Sequence, residues 1–252
     1  MLASERREAI ANLIASEGRV TVADLVKRFG VTEDCIRKDL RTLAADGRCR
    51  RVYGGAIAAT PADEHNIISR MAVHAPEKQL MAQKAVRLIE DGQVVFLDIS
   101  STNVYLAECI AESGLSCTVI SNMLDVLKAL TNAPHVKAQC LPGTVDSESG
   151  GLLGAQTLAM ISDMHFDLAF LGARSASLDA DAVTTFEMDD GLVKHMALQN
   201  SDVTYVLTET GKYEASGVYV YARLSEFDGA ICDDKLSAET RERIEALGLK
   251  VI

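Results

Sequence analysis

The sequence lacks the marks of several protein classes. It has only 4 prolines in 252 residues, against 48% hydrophobic and 24% charged residues. Such a chain is too apolar and too mixed in sign to be disordered. None of its six cysteines (Cys35, Cys49, Cys109, Cys117, Cys140, Cys232) sits in a CxxC pair, so neither a disulfide scaffold nor a zinc ribbon is indicated. The longest stretch without charge, Ser149 to Ser162, has 14 residues and three glycines, short of the roughly 20 that span a bilayer. The N-terminus reads Met-Leu-Ala-Ser-Glu-Arg-Arg-Glu, with charge where a signal peptide needs an apolar run. A cytoplasmic protein with no membrane segment is expected, long enough for a small domain beside a medium one.

What is present is an uneven distribution of charge. Residues 1–60 carry 11 Lys/Arg and 8 Asp/Glu, a balance of +3, while residues 61–252 carry 14 and 28, a balance of −14; together they give the net −11. Six basic residues (Arg37, Lys38, Arg41, Arg48, Arg50, Arg51) fall within 37–51 against two acidic ones. A locally basic head on an acidic body suggests that the head alone meets a polyanion.

The head reads as three helices and a hairpin. Ile10, Leu13 and Ile14 give the first helix, from about Ser4 to Ala15, one apolar face, with Ser4 as N-cap and Gly18 as terminator. Thr21 and Asp24 have capping-box spacing, and Val22, Leu25, Val26 and Phe29 follow at helical intervals up to Gly30. Thr32 caps a third helix whose stripe Ile36, Leu40, Leu43 leaves Glu33, Arg37, Lys38 and Arg41 on the opposite face. Two capped helices joined by a short glycine-containing turn form a helix-turn-helix pattern, whose second helix enters the major groove. Then come Arg48, Arg50 and Arg51, Tyr53, and a Gly54-Gly55 pair between β-compatible runs, which reads as a tight hairpin forming a basic wing. A solvated basic face is the blander alternative, but turn spacing, caps, hairpin and terminal position coincide.

These residues resemble a known family. Glu5-Arg6-Arg7, Val20-Thr21-Val22, Phe29-Gly30-Val31, Ile36-Arg37-Lys38-Asp39-Leu40 and Val52-Tyr53-Gly54-Gly55-Ala56 look like the winged helix of the DeoR/GlpR family of bacterial transcriptional regulators. The likeness covers about residues 3–57. Thr32, Cys35 and Lys38 stand where that family usually has Ser, Thr and Arg; Cys35 removes a hydroxyl that could bond a phosphate or a base edge. The resemblance implies contact with double-stranded operator DNA through Thr32, Glu33, Cys35, Arg37, Lys38, Arg41, Arg48, Arg50, Arg51 and Tyr53.

Beyond a polar, Pro61-containing linker, assigned to 58–74, the body alternates strand and helix. A helix is predicted from Glu77 to about Glu90, then a buried strand at Val94-Val95-Phe96-Leu97. Further strands are expected at Cys117–Ile120, Val136–Leu141, Phe166–Gly172, Thr204–Leu207, Gly229–Cys232 and Leu249–Ile252, with helices between them. This predicts an open α/β domain over 75–252 with a mainly parallel sheet, whose ligands collect at the carboxyl ends of strands. The turn Asp98-Ile99-Ser100-Ser101-Thr102, between a strand and a helix N-terminus, suits an anion, though its hydroxyls could equally be caps.

The body also resembles the effector domain of the same regulators, which is similar to ribose-5-phosphate isomerase and glucosamine-6-phosphate deaminase folds. Glu77-Lys78, Phe96-Leu97-Asp98 with Ser101-Thr102, Ser121-Asn122, Gly143, Asp167 to Ala173, Val193-Lys194 and Gly211-Lys212-Tyr213 carry the likeness. It implies a phosphorylated sugar effector near Asp98, Ser100, Ser101, Thr102, Asn122, Gly143, Lys194 and Lys212. Departures are Ser100 for a glycine, Asp190-Gly191 for Glu-Ala, and Glu209 and Gly211 for Asp and Ser. A Cβ at Ser100 hinders approach to a phosphate if that residue needs positive φ.

The five histidines show no metal-ligand spacing, and Asp189-Asp190 and Asp233-Asp234 read as solvated faces rather than acid/base pairs. No cofactor is expected. The reading is a sugar-operon regulator, expected to repress, assembled as a homo-oligomer (dimer or tetramer). Two alternatives stay open: an isomerase- or deaminase-like enzyme with a DNA-binding appendage, and a regulator that needs no effector.

Overall fold

The computed structural model describes residues 2–58 and 65–252. The chain forms two compact units, Met1–Ala75 and Pro76–Ile252.

The first unit runs α1 (Ala3–Glu17), β1 (Arg19–Thr21), α2 (Val22–Phe29), α3 (Glu33–Ala45), β2 (Arg50–Val52), β3 (Gly55–Ile57) and α4 (Ile67–Ala72). Ile10, Ile14, Leu25, Ile36, Leu40 and Leu43 are buried together, so the helical stripes seen in the sequence meet in one core. The caps are as expected: Thr21 Oγ1 accepts from the Asp24 amide at 3.1 Å, and Thr32 Oγ1 from the Cys35 amide at 3.3 Å. The Asp24 carboxylate, however, accepts from the Thr21 hydroxyl (2.6 Å). Ser4 is not the first cap. It lies inside α1, and the charged Glu5 carboxylate instead accepts from the Leu2 amide at 2.8 Å.

The wing has three strands, in the order β1-β3-β2. Gly54 turns the hairpin at φ +77, while Gly55 answers a different need: a Cβ there would lie 2.0 Å from the Val20 carbonyl oxygen of β1. The expected linker, 58–74, contains a helix. Asn66 caps α4 by accepting from the Ile68 and Ser69 amides, and the His74 amide donates to Ala45 of α3. Residues 59–64 of that stretch lie outside the described residues.

The second unit contains α5 (Ala75–Ala85), β4 (Val94–Leu97), α6 (Ser101–Ser113), β5 (Cys117–Ser121), α7 (Leu124–Ala129), β6 (Val136–Cys140), β7 (Thr144–Val145), β8 (Leu152–Leu153), α8 (Ala155–Ser162), β9 (Phe166–Gly172), β10 (Ser175–Ser177), β11 (Ala182–Thr185), α9 (Met188–Gln199), β12 (Ser201–Thr208), β13 (Tyr219–Ala222), β14 (Gly229–Cys232), α10 (Ala238–Ala246) and β15 (Lys250–Val251). The helix predicted to reach Glu90 stops at Ala85 and tightens into a 3-10 turn at Val86–Leu88.

Seven strands form one parallel sheet, β15-β14-β12-β9-β4-β5-β6. Phe96, Phe166 and Phe170 are fully buried in it, the first two with ring centroids 5.1 Å apart. The chain builds outward from β4 through β5 to β6, then returns to β9 on the other side of β4. Strand order therefore reverses between β4 and β9, where a doubly wound sheet opens a crevice at its carboxyl edge. A small antiparallel sheet, β10-β11-β13, and the pair β7-β8 were not foreseen.

Candidate functional site

In the first unit, α3 exposes Glu33, Arg37, Lys38 and Arg41, with Thr32 exposed at its cap, while Ile36, Leu40 and Leu43 face the core. Arg37 pairs with Glu33 one turn earlier (3.1 Å), an exposed i,i+4 contact that contributes little. Arg50 and Arg51 are exposed on β2, and Tyr53 is fully exposed at the hairpin turn. Two expected contact residues are engaged within the unit. Arg48 makes two hydrogen bonds to Glu8 of α1 (2.6 and 2.9 Å), which hold the Glu8 carboxyl below its ordinary range. Cys35 is half-buried, and its sulfur accepts from Arg6 Nη2 at 3.0 Å.

Sequence reasoning missed what fixes α3. Arg6 donates from Nε to Asp39 Oδ2 at 2.6 Å and from Nη2 to Oδ1 at 3.3 Å, with both residues buried. The bond to Asp39 raises the Arg6 pKa against the opposing effect of burial. Both residues lay in matched stretches, but nothing local linked positions 33 apart.

In the second unit, the crossover between β4 and β9 gathers a buried polar cluster. Asp98 follows β4. Its Oδ2 accepts from the Gly172 amide at 2.6 Å and from Lys194 Nζ, and its Oδ1 accepts from Asn103 Nδ2 at 2.7 Å. Asn103 also donates to the Phe170 carbonyl at 2.8 Å, tying β9 to α6. Lys194, only 2% exposed, reaches Asp190 as well (3.4 Å), and Asp190 accepts from the Thr185 hydroxyl. The solvated reading therefore fails for Asp190. It fails too for Asp233, which is buried and accepts from the Thr210 amide and hydroxyl (2.8 and 2.7 Å). Tyr221 donates to the Gly172 carbonyl at 3.0 Å; burial, then Asp98 and Asp190, push its phenol well up.

Ser100 is the N-cap of α6, its Oγ accepting from the Asn103 amide at 3.1 Å. Its φ is −144, extended backbone that any residue adopts, so the missing glycine costs no strain here. Ser101 and Thr102 occupy the first turn of α6, both buried. Asn122 follows β5, its Nδ2 donating to the Leu152 carbonyl at 3.2 Å. Its Oδ1 and that of Asn103 are buried without a partner among the described residues. Gly143 leaves room for β8: a Cβ there would lie 2.9 Å from the Leu153 backbone. Lys212 sits in a short 3-10 turn after β12. Because the sheet is parallel, Asp98, Asn122, Gly143 and Lys212 all follow strands at one carboxyl edge, and Asp98 and Lys194 form a direct side-chain contact. A second buried ion pair, Lys78 with Glu209 at 3.6 Å, also lay unrecognised within the matched motifs.

No helix among the described residues is long and apolar enough to cross a membrane. Comparison with known proteins gives a consistent picture. A model described as a DeoR-like helix-turn-helix domain matches residues 6–62, and one described as a DeoR C terminal sensor domain matches residues 73–234. The lactose phosphotransferase system repressor of Lactococcus lactis is 26% identical, over 94% of this chain and 93% of its own. The L-fucose operon activator of Haemophilus influenzae is 25% identical over 92% of each chain. Among solved structures, ribose 5-phosphate isomerase A of Methanocaldococcus jannaschii aligns with 54% of this chain and 53% of its own, at 18% identity and a TM-score of 0.40. With a helix-turn-helix unit and a sensor unit matched along most of its length, the chain belongs to the DeoR family of transcriptional regulators.

Proposed function

We propose that this regulator binds a two-half-site operator controlling a sugar catabolic operon and releases it when a phosphorylated sugar occupies the crossover site. The observation that carries the DNA half is the sidedness of α3: Arg37, Lys38 and Arg41 are exposed while Ile36, Leu40 and Leu43 are buried. That face enters the major groove, and Arg50, Arg51 and Tyr53 follow the backbone. Arg48 joins them only by leaving Glu8, and Cys35 acts by placing Arg6.

For the effector, the amides of Ser101 and Thr102 at the start of α6 receive the phosphate. The Asn103 and Asn122 carbonyl oxygens, short of donors, take sugar hydroxyls. Lys194 orients Asp98, and Lys212 is the cation at the outer part of the same edge. The sugar acts by preferring one arrangement of the paired heads, since an effector shifts an equilibrium only by its differential affinity. No catalysis and no cofactor enter this reading, and the protein works where the DNA is, in the cytoplasm. Repression is the favoured sign, with the relative named as an activator as its rival.

The test is to enrich genomic DNA on the purified protein, sequence it and measure affinity for the consensus. A palindromic site beside sugar-catabolic genes is expected. Uniform recovery of genomic DNA, or binding unaffected by Arg37→Ala, would sink the reading.

A further inference from the structure

The second unit has an unprotected strand edge. In the order β10-β11-β13, β13 pairs with β11 on one side and has no strand on the other among the described residues. Val218 and Val220 keep 79% and 63% exposure, and Tyr219 between them is exposed as well. Met188 and Leu192, one turn apart on α9, extend the patch and are also exposed. They flank β13 because His195, on the same side of α9, places Nδ1 2.9 Å from the Tyr221 carbonyl. Half of the exposed large apolar side chains among the described residues thus meet here. Ala215 to Ala222 carry no charge and no proline, the usual guards of an open edge.

We propose that this edge docks a second copy of the chain, β13 against β13, antiparallel about a twofold axis. Charge selects that occupant. Residues 61–252 carry 28 acidic and 14 basic groups, so most of the body's surface repels its own copy. The strip is neutral, and it is bracketed by Glu214 at one end and Arg223 at the other. Antiparallel self-pairing centred on Val218 or Tyr219 sets Glu214 of each copy within a residue of Arg223 of the partner subunit, twice over. Such an isologous edge needs no other partner for closure. The inference supplies the paired heads that the operator reading rests on, but its test reads mass, not DNA binding.

Sedimentation of the full chain across the micromolar range should show a dimer. Val218→Lys and Val220→Lys, at positions exposed in the protomer, should each weaken it at least about tenfold by setting like charges face to face. Oxidised Val218→Cys or Tyr219→Cys should give a disulfide dimer, with the cross-linked peptide joining like positions. If a lysine variant fails to fold, the cross-link decides. A monomeric wild type, lysine variants that dimerise as wild type does, or a dimer in which neither cysteine cross-links would each overturn the proposal. A dimer that obeys these rules yet ignores operator DNA would instead strike the operator reading and leave this one standing.

Discussion

Arg6 and Asp39 show what one residue costs when its partner is lost. Removing the carboxylate strands a buried guanidinium, so Asp39→Ala should destabilise the first unit by about 3–5 kcal/mol in urea. The double change Arg6→Met with Asp39→Leu should recover most of that loss, because no charge is then left unpaired. A loss below about 1 kcal/mol in the single variant would mean that water reaches the site. Asp233 offers a pH test. Burial alone would raise its pKa, but the Thr210 amide and hydroxyl and the Lys235 amide hold it below its ordinary value. A depressed carboxylate stabilises above its unfolded pKa and loses that contribution as pH falls through the folded one. The stability gap between wild type and Asp233→Asn should therefore be widest near neutrality and close below the ordinary carboxylate range. A gap that stays constant with pH would contradict it. Thr21 and Thr32 were legible as caps because a cap acts over three residues. The Asp98–Lys194 contact was not, since only the folded sheet brings together positions 96 apart.

Among elements, the proposed function divides the work of reading and holding DNA between α3 and the wing. Arg37→Ala should cost about 1–3 kcal/mol and relax preference at one operator position. Arg51→Ala should weaken all sequences alike and lower the salt slope by about one unit. Arg48→Ala should lower that slope by less, because Glu8 already neutralises Arg48 in the free protein. Affinity titrations at several salt concentrations separate the three, and equal slopes for Arg48→Ala and Arg51→Ala would show that Glu8 lets go without cost. The six strands expected besides Val94-Val95-Phe96-Leu97 were all found; inner strands such as β9 and β14 stood out as nearly continuous apolar runs because both their faces are buried, whereas the edge strands β6 and β15 are partly exposed. By contrast β10, β11 and β13 are three or four residues long, and the first two are rich in Ser, Thr and Ala, too short for an alternation to register. Strand β1 hid in the cap of α2, where Val20 reads as a helical flank.

For the whole molecule, the question is whether the sensor still senses. Ligand binding to the native state alone raises stability by RT ln(1 + [L]/Kd), about 2.7 kcal/mol at a hundredfold excess over Kd. A sugar phosphate should raise the melting temperature and change operator affinity, and the unphosphorylated sugar should do neither. Lys212→Ala and Ser101→Ala should blunt both responses while leaving unliganded DNA binding intact. If a broad panel of sugar phosphates changes neither quantity, the protein regulates without an effector.

Gly172 and Ser100 bear on the history open to this chain. A Cβ on Gly172 would lie 2.4 Å from that of Ser100. No side chain can arise at 172 while one stands at 100, although the Gly172 amide would still reach Asp98. A side chain at 172 therefore requires that the one at 100 be lost first or at the same time, and a library randomised at 172 alone should return glycine.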